Sequence, residues 1–172
     1  MAVTEKKLVQ RSQRVAFMDV GTGGSAEYTR MTGFTALTNG KNPKEYSRQY
    51  VDENTERSDV VGYSPSIEYS FDRHTNTAVH DKIAEISDKE KVGSDTHVSI
   101  VVVDLFAEAQ SGAYPAIQRT YAVIPDSEGD GTDALIYSGT FKAVSEIVVG
   151  TATSDDNWQT ATFTAASEPD SE

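Results

Sequence analysis

Residues 126–133, DSEGDGTD, come nearest to a metal site in this sequence. Asp126, Glu128 and Asp130 alternate and Gly131 follows, in the manner of an EF-hand calcium loop. The loop's twelfth position falls on Tyr137, where a bidentate Glu is needed, and no helix pair is expected around it. A hard cation such as Ca2+ would be held only weakly there, and a solvated acidic turn is the simpler expectation. His74, His80 and His97 have no zinc-ligand spacing, because H-E-x-x-H and any pair at i, i+4 are absent. No G-x-S-x-G elbow supports a triad from these histidines and the many Ser and Asp residues. GTGGS at 21–25 lacks the Lys-Ser/Thr of a phosphate loop and reads as a turn. With no cysteine, disulfides, thiolate metal sites and a Cys nucleophile are excluded. The residues thus point away from an enzyme, and no catalytic residue, metal or cofactor is expected.

The chemistry left to explain is electrostatic. The net charge of −12 is unevenly spread. Residues 1–91 hold 13 Lys+Arg against 14 Asp+Glu, whereas residues 92–172 hold only Arg119 and Lys142 against 13 acids. An acidic half of this kind opposes nucleic-acid binding, which needs clustered cations to replace counterions. It suits a solubilising surface, or one that repels a polyanion passing nearby.

A chain of 172 residues suits one domain, expected over 1–172, and its apolar fraction of 37% implies a thin core. The longest apolar run, IVVV at 100–103, is too short to cross a membrane. MAVTEKKLVQRSQ has no apolar stretch of the kind that marks a secretory signal, so synthesis and folding in a cytoplasm are expected.

Most of the chain reads as strands. RVAFMDV (14–20) is a short one, and IEYSF (67–71) alternates with Ile67, Tyr69 and Phe71 on one face and Glu68 and Ser70 on the other. VSIVVVDLF (98–106) is apolar on both faces, as a covered central strand would be. AIQRTYAVI (116–124), ALIYSGTFKAVSEIVVGTATS (134–154) and WQTATFTA (158–165) follow, with Gly139 predicted to break the second of these as a bend or hairpin. One helix is predicted over about 77–90, with Val79, Ile83 and Ile86 as its apolar stripe. Its expected caps are Thr75 or Asn76 in front and Gly93 behind. The fold class is therefore mostly β, an antiparallel β-sandwich or half-barrel with one flanking helix. The polar C-terminus at about 167–172 is expected to fray.

Residues 42–63, NPKEYSRQYVDENTERSDVVGY, have eight charges and three tyrosines but no apolar face. KEYSRQYVD and TERSDVVGY can each form a strand, with Glu53-Asn54 between them. Their charges keep an exposed edge from indiscriminate pairing, and mixed signs among aromatics suit a specific partner. An extended charged arm at about 41–60 is predicted.

Residues 31–93 carry a resemblance. NPKEYSRQYVDENTERSDVVGYSPSIEYSFD and the following HDKIAEISD resemble the tail tube (major tail) proteins of long-tailed phages and prophages of Gram-positive hosts. The resemblance implies a β-sandwich with a flanking helix that forms hexameric rings, whose strands join into an inner barrel. The rings would stack into the tail tube of a virion after assembly in the host cytoplasm. The tape-measure protein and DNA would occupy or cross a commonly acidic lumen, without specific binding of the DNA. Long loops would link successive rings. On that basis Lys44, Glu45, Arg48, Tyr50, Asp52, Glu53, Glu56, Arg57 and Asp59 are expected to make inter-subunit contacts. Glu128, Asp130 and Asp133 are expected on an acidic surface, the lumen among the options. Two other readings remain open: a calcium-dependent adhesion or carbohydrate-binding module, and the tube subunit of a contractile tail or secretion system.

Overall fold

The computed structural model describes residues 5–107, 109–129 and 131–167. Asp130 and residues 168–172, which hold one of the acidic positions and nearly all of the expected frayed tail, lie outside them. The strands are β1 (Arg14–Asp19), β2 (Tyr28–Arg30), β3 (Phe34–Gly40), β4 (Pro43–Arg48), β5 (Arg57–Tyr63) and β6 (Ser66–Asp72). After helix α1 (Ala78–Asp88) come β7 (His97–Asp104), β8 (Tyr114–Glu128), β9 (Ile136–Ala143), β10 (Val148–Thr153) and β11 (Thr160–Ala165). All registered pairings are antiparallel, so the mostly-β architecture with one α-helix follows the sequence reading. The residues fall into two compact units, the first formed up to Thr32, by Val98–Arg119 and from Glu146 onward, the second by Gly33–His97 and Thr120–Ser145.

In unit one, β10, β11, β2, β1 and β7 lie in that order, and the start of β8 neighbours both β7 and β10, closing a small barrel. Val15, Phe17, Val101 and Val103 fill its interior. Ala116, Ala152 and Ala161 are small enough to leave room for Tyr114 and Trp158, whose rings meet edge to face 5.4 Å apart. The turn that presents Trp158 puts Asn157 and Trp158 in the left-handed region, at φ 58° and 61°. Asp156 holds this turn by accepting from the Gln159 and Thr160 N–H groups and the Thr160 hydroxyl, which pulls its carboxyl down to about 2.

In unit two, β3, β6, β9 and the later part of β8 form a four-stranded sheet in that order. Ile67, Tyr69, Phe71, Tyr121, Val123, Tyr137 and Phe141 are buried on one face. The predicted helical stripe of Val79, Ile83 and Ile86 is buried too, joined by Ala84 and His80. His80 stacks on Phe71 at 4.4 Å, and its Nδ1 accepts the His74 N–H at 3.0 Å. That is a structural role.

Two expectations are corrected. The helix lies within the predicted span of about 77–90, but its caps are Thr77, which makes no side-chain cap bond, and Lys89. Gly93 is not the stop signal. Glu90 takes the left-handed position at φ 47°, and Glu90 and Lys91 donate back to the Ser87 and Ile86 carbonyls as in a Schellman motif. Gly139 does not bend its strand either. It lies inside β9, and the break comes at 144–147. A Cβ at Gly139 would stand 2.5 Å from the Ile124 carbonyl and 2.7 Å from the Tyr69 hydroxyl. The glycine is needed for close approach, the other meaning of glycine in a strand. Gly139→Ala is therefore expected to cost about 1–3 kcal/mol through overpacking, read as a fall in Tm of about 2–4 °C per kcal/mol. An unchanged Tm would contradict this account of the site.

Candidate functional site

The arm predicted from 42–63 is a two-stranded ribbon of β4 and β5. Ser47 faces Ser58 and Arg48 faces Arg57, and a register shift at Lys44/Glu45 leaves one extra residue in β5. Every residue of β4 is exposed. Arg48 and Arg57, directly opposite, would repel each other unless neutralised locally. Arg57 is held by Glu53 at 2.5 Å, while Arg48 donates to the Tyr46 hydroxyl at 2.7 Å and lies over its ring. Lys44, Glu45, Arg48, Arg57 and Asp59 thus sit on the strands; Tyr50, Asp52, Glu53 and Glu56 sit in the connecting loop. The turn is not at Glu53-Asn54. Glu53 donates its N–H to the Tyr50 carbonyl, which centres the tight turn on Val51 and Asp52. Glu53 is drawn to Arg57 instead.

The arm springs from one end of the unit-two sheet, where the end of β3 (Gly40) pairs with the start of β6 (Ser66). At the opposite end, Asp72 pairs with Ile136, just after the loop that carries Asp133. Asp133 is exposed in that loop. Glu128 is exposed at the end of β8, opposite Tyr137 on the face that α1 covers. Tyr137 donates to the Asp88 carboxylate at 3.1 Å. The hydrogen bond and charge of Asp88 push the Glu128 carboxyl above its ordinary range, and Tyr137 is pushed up to about 12, first by desolvation and then by Asp88. Sequence reading missed this Asp88–Glu128 neighbourhood, because no local signal joins residues 40 positions apart.

The sheet's other face, on which the sequence reading placed Glu68 and Ser70, extends beyond that one strand. Alternation puts Ser66, Glu68, Ser70 and Asp72 of β6 opposite its buried side, aligned with Lys142, Thr140, Ser138 and Ile136 of β9. Ser127 continues the Ser70–Ser138 row and hydrogen-bonds Ser138 at 2.9 Å. Five of these nine residues carry hydroxyls, and the rest are Glu68 opposite Thr140, Asp72 opposite Ile136, and Lys142 opposite Ser66. The alternation of IEYSF carries the polar side of β6, but not its neighbours on β9 and β8.

Among the described residues, no group of three or more His, Asp or Glu is arranged to hold a metal. The GTGGS loop is pinned by Asp19, whose carboxylate accepts the Gly21 and Glu27 N–H groups at 2.8 and 2.9 Å. No described helix is long and apolar enough to cross a membrane.

No family model and no curated protein matches the chain. Among solved structures it is similar to a chain of the "Cryo-EM structure of the anti-feeding prophage (AFP) baseplate, 6-fold symmetrised". The TM-score is 0.52 at 8% identity, over 85% of this chain and 97% of that one. At that identity the likeness is one of fold.

The Asp88–Glu128 contact is directly measurable. A folded carboxyl held above its unfolded value stabilises the fold below that value and loses the contribution as pH rises through the folded pKa. In Asp88→Asn, the Glu128 titration followed by carboxyl 13C NMR is expected to fall toward the ordinary 4.5. An unmoved or rising midpoint would contradict the assignment.

Proposed function

We propose that this chain is a structural, non-enzymatic subunit of a phage tail or a related prophage assembly, and that it forms rings that stack into a tube. The observation that carries the reading is the four-stranded sheet of unit two. Its outer strands within the unit, β3 and the later part of β8, are antiparallel to each other, because three antiparallel steps separate them. Joining β3 of one copy to the later part of β8 of the next therefore continues the antiparallel alternation and would give both strands a partner across the copies. Such a head-to-tail contact closes a ring when the rotation closes.

Six copies, the number in the resemblance and in the symmetry of the similar baseplate structure, would make a barrel of 24 strands. At ordinary strand spacing and tilt its backbone would be about 45 Å across, wide enough for duplex DNA or a tape-measure protein. With α1 outside, the hydroxyl face would line the lumen. That face lacks the clustered cations that hold DNA phosphates, which suits passage without binding. On this reading the lumen acids are Glu68 and Asp72, while Glu128 and Asp133 belong to the rim. The arm, at the end of the sheet away from that rim, would meet the next ring, and the particle would be a virion tail assembled in the host cytoplasm. The likeness to a baseplate chain favours a second reading in the same class, a subunit of a baseplate ring, including one in a contractile or secretion machine.

Electron microscopy of the concentrated protein, alone and with other tail components, separates these. Stacked rings are expected; single rings that never stack favour the baseplate reading, and monomers alone in both conditions contradict the proposal. Deleting residues 44–58 is expected to leave a folded subunit that no longer stacks, checked by circular dichroism and microscopy. Normal tubes from the deletion would remove the arm from the mechanism.

A further inference from the structure

The arm's far end needs a receptor of defined chemistry. Its loop presents Asp52, Glu53 and Glu56 together with Tyr50 and Val51, the tyrosine half exposed and the valine fully so. The rim of the unit-two sheet is a poor receptor, because Asp126, Glu128 and Asp133 there carry the same sign. The residues just before β1 have the opposite character. Glu5, Lys6, Lys7, Leu8, Val9, Gln10 and Arg11 have a net charge of +2. Leu8 is 92% exposed, Val9 is exposed too, and neither Lys6 nor Lys7 forms an ion pair among the described residues. Residues 5–10 have no regular secondary structure, so their backbone can follow a partner. The ribbon of β4 and β5 has no third strand among the described residues, and isolated two-stranded ribbons are only marginally stable.

We infer that residues 5–10 of one copy dock against the arm of a second copy, with Lys6 and Lys7 facing Asp52, Glu53 and Glu56, and Leu8 and Val9 covering Tyr50 and Val51. The inference rests on reading the arm as a contact between copies. Two apolar pairs left in water would be covered together, and an acidic loop would meet an exposed cationic stretch in a chain whose charge is otherwise mostly negative. Because each copy offers both halves, the contact is heterologous and propagates.

The absence of cysteine gives a clean test. A Leu8→Cys/Val51→Cys double variant, at two exposed positions that the fold does not use, is concentrated and oxidised, then run on a non-reducing gel. The expected result is a ladder of covalent dimers, trimers and longer chains that collapses on reduction, while each single variant stops at the dimer. Only monomers, an internally closed monomer, or dimers no longer than those of the single variants would overturn the contact. Microscopy of the same sample keeps the two ideas apart. Stacked rings without a ladder overturn this contact and leave the ring reading standing; a ladder without rings upholds the contact and removes the ring reading.

Discussion

Backbone hydrogen bonding at strand edges is the constraint on which this molecule turns. An unpaired edge is a row of donors and acceptors that will find a partner, chosen or not. Unit one meets the constraint by closure, since its last strand returns to its first. Within unit two the sheet runs β3, β6, β9 and the later part of β8, so that β3 is a terminal strand, and the ribbon of β4 and β5 adds two further edges. Strand edges of this kind are satisfied when a further chain pairs with them. That property, more than any cluster of reactive side chains, supports an assembly role.

The electrostatics follow the same division. On the hydroxyl face the charges are few: Glu68 lies opposite Thr140, Asp72 opposite Ile136 and Lys142 opposite Ser66. On the proposed reading, the charges that would recognise a partner are those of the arm and of the stretch before β1. Within the arm, Arg57 is quenched by Glu53 and Arg48 by the Tyr46 ring, so that two facing arginines coexist on adjacent strands. The loop acids Asp52 and Glu56 form no ion pair among the described residues.

Much of this was legible in the sequence where the signal is local. The alternation of Ile67, Tyr69 and Phe71 and the stripe of Val79, Ile83 and Ile86 follow from periodicity, and the two pairing halves of the arm from their Tyr and Val content. What was not legible depended on contacts between distant residues. Gly139 looks like a bend until Tyr69 and the Ile124 carbonyl are seen to occupy the place of its missing side chain. Gly93 looks like a helix stop, but Glu90 accepts the left-handed position first. The Asp88–Glu128 neighbourhood and the hydroxyl face require the register of β8 on β9, which no single segment encodes. The role of the acidic residues was therefore harder to read than their presence.

The central claim is that β3 of one copy pairs with the later part of β8 of another. Amide hydrogen exchange, compared between dilute subunits and the assembled fraction, tests it most directly. The account predicts new protection on assembly at the edge amides of Phe34–Gly40 and of Tyr121–Glu128, with the amides of β6, already paired on both sides, unchanged. Assembled particles in which both edges exchange as fast as in the dilute subunit would contradict it.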